Sequence, residues 1–220
     1  MRKLFCLVLL SSTLMLQSCF EIIEQLVMKA DGSGNLQLVL NMSKSKTRLN
    51  AIMKMKTANG HKVPDENEIR QKLADLEKDI KTTPGISNVK TVLDFENFIA
   101  TLTCDFTNVN SLNTCTRNLA EKSKNKKPVE NSFEYDIIGK TFTRINKFLV
   151  KDEYDKMSNA DKEIFATANY TNIFRFDTEV ISASNKDSKI AANKKAVMLK
   201  LNVLDIISNK KSIENKIKLK

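Results

Sequence analysis

From Phe98 to Phe106 the chain alternates without a fault. Phe98, Ala100, Leu102, Cys104 and Phe106 fall on one side, and Ile99, Thr101, Thr103 and Asp105 on the other. A period of two lines one face of a strand, so this stretch predicts a sheet with one covered face. Leu36, Leu38, Leu40 and Met42 repeat the pattern against Gln37, Val39 and Asn41. An apolar run, 20–30, precedes them across Asp31-Gly32-Ser33-Gly34, which reads as a hairpin turn. The same four residues could begin a calcium loop, but the alternating oxygen ligands and closing Glu of that pattern do not follow.

Further strands are expected at 86–93 and 97–106 around Asp94-Phe95-Glu96, at 133–138 and 141–150 around Gly139-Lys140, and at 170–182 and 195–204. The tail, 206–220, suits a last strand or a short helix. Helices are expected over 43–56, from Pro64 to Ile80, over 108–122, and from a cap at Ser158 to Ala168. In the first, Leu49, Ile52 and Met53 form a short apolar stripe among Lys44, Lys46, Arg48 and Lys54. Such a stripe is expected to be core against a sheet, with a membrane surface as the other reading. In the second, Ile69, Leu73, Leu76 and Ile80 form a seam, and Asp65, Glu66 and Glu68 suit the positive end of the helix dipole. The order of elements predicts an α+β fold, with antiparallel β-hairpins forming a sheet and helices packed on one face.

The first nineteen residues are of another kind. Met1-Arg2-Lys3 is a basic head, 4–16 is apolar and uncharged, and Leu16-Gln17-Ser18-Cys19 follows. A basic start, a short apolar stretch and a small-residue cut site mark an export signal. The run is also short of the ~20 apolar residues that a spanning helix needs. The cysteine resembles the lipobox of bacterial lipoproteins, although Gln17 stands where the family usually has a small or branched residue. The resemblance implies a signal peptide over 1–18, lipid attachment at Cys19 and an ectodomain over 19–220. The run KSKNKKP beginning at Lys122 marks an exposed loop or internal boundary within 122–131.

Composition bears on partners. The net charge is +10, which raises nucleic acid, yet an exported chain without Trp, and without aromatics interleaved in a basic stripe, argues against it. Surface Lys and Asn are the ordinary explanation of the charge. Catalysis and metal binding find little to work with. His61 is the one histidine, it sits in a polar Asn-Gly stretch, and no Cys or His is spaced to join it on a metal. No Gly-x-Ser-x-Gly elbow and no glycine-rich phosphate loop is present. Neither catalytic nor metal residues, nor a cofactor, are therefore expected. A hydrolase would need a deep pocket joining His61 to a Ser, Cys or carboxylate, and an exposed His61 without such neighbours is expected instead. Cys104 and Cys115 are placed by strand and helix periodicity on facing inner surfaces. An exported compartment allows a disulfide between them, and two reduced thiols packed as small apolar groups are the alternative.

Two stretches resemble a group of envelope lipoproteins. One is the strand ending in Asp31-Gly32-Ser33-Gly34. The other holds Tyr170, Phe174, Phe176, Val180 and Ser182-Ala183-Ser184-Asn185, followed by Ala196-Val197-Met198-Leu199. Together they look like the ectodomain pattern of LppM-like lipoproteins and of uncharacterised Bacteroidota lipoproteins. The resemblance implies a tethered, non-enzymatic α+β ectodomain that binds a lipid, glycolipid or other amphiphile, with an envelope-protein partner as the alternative. A groove bordered by Lys beside Leu49, Ile52 and Met53 is the expected ligand site. Phe20-Glu21 after the cysteine lacks both an inner-membrane retention Asp and a dense acidic run. An outer-membrane anchor facing the periplasm is expected.

Overall fold

The computed structural model describes residues 20–122, 130–145 and 151–220. Cys19, the expected signal segment and most of the loop expected within 122–131 lie outside the described residues, as does the continuation of the expected 141–150 strand beyond 145. The strands are β1 (Glu21–Met28), β2 (Gly34–Asn41), β3 (Thr57–Ala58), β4 (His61–Lys62), β5 (Ile86–Asp94), β6 (Ile99–Phe106), β7 (Phe133–Asp136) and β8 (Thr141–Arg144). They continue with β9 (Asn169–Phe176), β10 (Val180–Ala183), β11 (Lys189–Ile190), β12 (Ala196–Asn202) and β13 (Asn215–Leu219). The helices are α1 (Lys46–Ile52), α2 (Glu66–Lys81), α3 (Val109–Lys122), α4 (Lys151–Asp155), α5 (Asn159–Lys162) and α6 (Val203–Ile207).

The fold is α+β. One sheet runs β11-β12-β9-β1-β2-β6-β5 and a second runs β10-β13-β8-β7. Most neighbours are antiparallel, and the hairpins β1–β2, β5–β6 and β7–β8 follow the sequence reading. Two features differ from it. β9 lies parallel to β1, from Glu21 beside Asn169 to Met28 beside Phe176. The chain crosses through α4 and α5 before β9, and a long crossover is what permits a parallel neighbour. The expected strand 170–182 is also two strands. β9 ends at Phe176, where Asp177 accepts the Ala30 amide N–H at 3.0 Å, and the chain then enters the second sheet as β10.

Local chemistry fixes the turns and helix starts. Asp65 and Glu68 form a reciprocal capping box on α2, satisfying two otherwise unpaired amides. Asn59 and Gly60 both have positive φ, which is the two-residue turn that joins β3 to β4. Gly34 is required by a close approach: a Cβ there would overlap the Val27 carbonyl and the Phe106 ring.

The inner face of the large sheet is covered by the second sheet together with α2 and α3. Leu26, Met28, Cys104, Phe106, Phe174 and Val197 meet Ile80, Leu112, Phe142 and Ile217 in one apolar cluster. Phe142 is fully buried, with ring centroids of Phe174, Phe176 and Phe133 at 5.1, 5.7 and 5.9 Å. A second cluster, with Ala168, Leu199, Leu201, Ile206 and Ile213, packs at the end where β1 begins.

A polar seam lies between the two clusters. Strand register aligns Leu199, Asn172, Glu24 and Leu38 in one row across the sheet. Arg144 of β8 and Tyr170 of β9 both donate to Glu24 Oε2. Arg144 also donates to the Ser132 and Ile145 carbonyls at 3.1 and 3.0 Å. Burial pulls the Arg144 guanidinium down, and Glu24 together with Tyr170 more than offsets it, so the guanidinium is held above its ordinary value. Burial, then the Glu24 carboxylate, push the Tyr170 phenol up. Tyr170 is therefore a donor at neutral pH.

The helix expected over 43–56 is shorter than the pattern implied and is not a core element. It is a single tight turn over Ser43–Ser45 followed by α1, and neither buries a residue. Ser45 occupies the N-cap position without a side-chain cap bond. The five residues between Met42 and Arg48 include none that is apolar, which leaves the stripe too narrow to seat the helix on the sheet.

Candidate binding grooves

An opening with both apolar and charged walls lies between α2 and β5. The seam Ile69, Leu73, Leu76 and Ile80 turns α2 toward the sheet, and only Ile80 is fully buried. β5 is the edge strand of the large sheet. Helix and edge leave a groove of about 390 Å³ lined by Arg70, Leu73, Ala74, Glu77, Lys78, Lys81, Thr91 and Leu93. That volume falls at the lower end of the range for small-molecule pockets. Leu73 and Leu93 are half-buried, whereas Arg70, Lys78 and Lys81 are exposed.

Glu77 organises this groove. Its Oε2 accepts from the Thr91 amide at 2.9 Å and from the Thr91 hydroxyl at 2.6 Å, while Oε1 accepts from Lys81 at 2.6 Å. The Lys81 ammonium, then Thr91, hold its carboxyl at about 2. An edge-strand N–H that reaches a helix side chain points away from β6. By the alternation of an antiparallel ladder, the Leu93 backbone groups also face the groove. Arg70 stacks over the Phe95 ring at 4.7 Å and lies 3.9 Å from Glu66. Of the three cations lining the groove, Lys81 is bonded to Glu77 and Arg70 lies beside Glu66, while Lys78 has no such partner among the described residues.

A second, smaller pocket of about 90 Å³ is lined by Phe20, Met42, Ser45, Arg48, Leu49, Ile52, Asn59 and Ile164. Its walls are mainly apolar, and Phe20 packs edge-on against Phe165 at 5.7 Å. Of the residues expected to bind a ligand, Leu49 and Ile52 line it, and Met53 does not. Its size suits part of a chain or a single side chain, well below a pocket that encloses a whole small ligand.

The other sequence expectations are placed as follows. Cys104 and Cys115 enter the same core cluster as free, buried thiols. Burial, then the neighbouring Cys115, push the Cys104 thiol up to about 11. Cys115 is raised by burial as well. His61 is exposed, as expected, but it does have a carboxylate neighbour. Its Nε2 lies 3.6 Å from Asp161, a correction that follows from α5 packing beside the β3–β4 turn. Asp161 also accepts from Asn59 at 3.3 Å and from the Ser158 hydroxyl at 2.7 Å. The hydroxyl is bonded to the carboxylate and not to the imidazole, and it caps α5. That is not the order a nucleophile, base and orienting acid require. Among the described residues no three His, Cys, Asp or Glu side chains converge as metal ligands. No helix among them is long and apolar enough to cross a membrane.

The basic groove was half visible in the sequence. The seam of α2 was legible, but its partner on β5 depends on which strand ends the sheet. The seam of Glu24, Arg144 and Tyr170 left no sequence signal, because its members are separated by up to 146 residues.

No protein-family model and no curated protein matches the chain. Among solved structures it is similar to the folded domain of Mycobacterium tuberculosis LppM, determined by NMR. The identity is 12%, over 93% of this chain and 92% of that one, with a TM-score of 0.41.

Proposed function

We propose that this chain is an envelope lipoprotein, anchored through Cys19, whose ectodomain binds an anionic amphiphile without catalysing a reaction. The observation that carries the ligand reading is the α2–β5 groove, where half-buried Leu73 and Leu93 lie under exposed Arg70, Lys78 and Lys81. An apolar strip takes hydrocarbon, and convergent cations take a phosphate or carboxylate head. The anchor rests on the basic head, apolar run and Ser18-Cys19 junction of the sequence. Anchoring in the outer membrane, facing the periplasm, places the groove among anionic envelope lipids and glycolipids.

Native mass spectrometry of the protein extracted from its own membrane tests the ligand. Lipid-sized adducts are expected on the wild type and should fall severalfold in an Arg70→Glu, Lys78→Glu variant. A bare protein, or equal occupancy in the variant, sinks the groove as the site. Cys19→Ala tests the anchor separately. Processing and membrane retention should be lost, and a variant that stays processed and membrane-bound contradicts it.

One observation favours a second reading. β5 is an edge strand with Leu93 backbone groups facing the groove, so an acidic extended segment of an envelope protein fits as an added strand. Crosslinking from Lys78 in the native membrane separates the two, since a protein conjugate supports the strand and a lipid conjugate the amphiphile.

A further inference from the structure

We propose that the segment from Met42 to Lys62, with Phe20 and Ile164 beside it, is a membrane-docking face that holds the ectodomain against an anionic lipid surface. This rests on the Cys19 anchor but concerns a different surface from the amphiphile groove.

Charge is the first reason. Lys44, Lys46, Arg48, Lys54, Lys56 and Lys62 occur between Met42 and Pro64 with no Asp or Glu among them. The chain as a whole carries 26 acids against 36 Lys and Arg, so this stretch departs from its own background. The first five of these cations make no ion pair with any described residue. Of the nearby carboxylates, Glu21 is bonded to Lys200 and Asp94 to the Asn97 amide, each at 2.9 Å, with Lys44 and Lys46 acting on them only through space, while Asp161 is bonded to Asn59 and Ser158 and lies beside His61.

Packing is the second. α1 buries no residue, so its apolar stripe is not absorbed by the core. Leu49 and Ile52 instead join Phe20, Met42 and Ile164 around an open apolar pocket, with Met55 51% and Ile164 38% exposed. Cations around an exposed apolar patch on a short helix are the makeup of an element that lies in a lipid interface.

Position is the third, and it selects the occupant. Phe20 lines this pocket, and the residue before it is Cys19, whose Cα is one peptide unit, about 3.8 Å, from that of Phe20. An acyl-anchored Cys19 therefore brings this end of the molecule to the bilayer. The exposed Ile137 and Ile138 belong to the other end, where Tyr135 of the same hairpin donates to the Ala30 carbonyl beyond the far end of β1. The eight residues of β1 set the two ends roughly 24 Å apart.

Hydrogen exchange on the full-length protein tests the proposal, in vesicles of phosphatidylcholine alone and of phosphatidylcholine with phosphatidylglycerol. Amides 44–56 should exchange at least severalfold more slowly in the anionic vesicles, while those around Ile138 should not change. Each cation near an anionic surface is worth about fivefold in partitioning, so Lys44→Gln, Lys46→Gln, Arg48→Gln together should weaken docking on the order of a hundredfold. That protection should vanish with exchange in the sheets unaltered. Equal exchange in the two vesicles, or protection that survives the triple change, overturns the proposal. The mass of the peptide beginning at Cys19, read in the same samples, keeps the anchor distinct. An acylated Cys19 without protection sinks docking alone, and lipid-specific protection with an unmodified Cys19 sinks the anchor alone.

Discussion

Arg144 Nε donates to Glu24 Oε2 across 3.1 Å, with the two side chains 7% and 6% exposed. The pair joins β8 of the small sheet to β1 of the large one, and the guanidinium also lies over the Phe133 ring at 4.8 Å. Removing one member of a buried pair leaves an uncompensated charge, which costs about 3–5 kcal/mol. Arg144→Met or Glu24→Leu alone should each lower the free energy of unfolding by about that amount in a urea titration. The double change should recover most of it. Additive losses would mean that the pair contributes through packing and not through its charges.

Phe142 is the other joint between the sheets. It is fully buried and touches three aromatic rings. Phe142→Ala should destabilise by about 3–5 kcal/mol, with Phe142→Leu costing clearly less. A loss below about 1 kcal/mol for the alanine would show that the two sheets do not share one core.

Glu77 gives the groove a pH dependence. Its folded value of about 2 lies below the ordinary 4.5, so its bonds to Lys81 and Thr91 favour the folded state fully above 4.5. That contribution falls away as pH drops through about 2. The Thr91 amide resonance should titrate with a midpoint near 2, and should lose that transition in Glu77→Gln. A midpoint at the ordinary carboxylate value would show that the edge amide is not held by Glu77.

Cys104 and Cys115 make a prediction about redox state. A thiol raised from 9.0 to about 11 carries roughly a hundredth of the thiolate of an ordinary one, and burial blocks reagent access. Alkylation of Cys104 and Cys115 in the native protein at pH 8 should be very slow, and unfolding without reductant should make both react. Unfolded protein that reacts only after reduction would establish the disulfide instead.

The strand face of 98–106 was legible because periodicity is a local property, and Cys104 and Phe106 are indeed buried. The same held for the α2 seam, whose cap at Asp65 and Glu68 sits three residues apart in sequence. Leu49, Ile52 and Met53 show where local reading failed. Their spacing fits a core helix, yet whether a stripe is core depends on what the rest of the chain places opposite it. Here α1 lies off the sheet with two of the three beside Phe20.

By itself, the sequence determined an α+β chain of hairpins and capped helices, and a basic head, apolar run and Ser18-Cys19 junction that read as an export signal over 1–18. Each of these depends on residues within a few positions of one another, where side-chain period and turn chemistry act directly. The tertiary structure alone decided that β9 enters beside β1 in parallel and that Glu24 meets Arg144 and Tyr170. It also left β5 as an open edge beside the Arg70, Lys78 and Lys81 cations. The first two bring together residues more than a hundred positions apart, and the third depends on which strand ends the sheet, so none leaves a local trace.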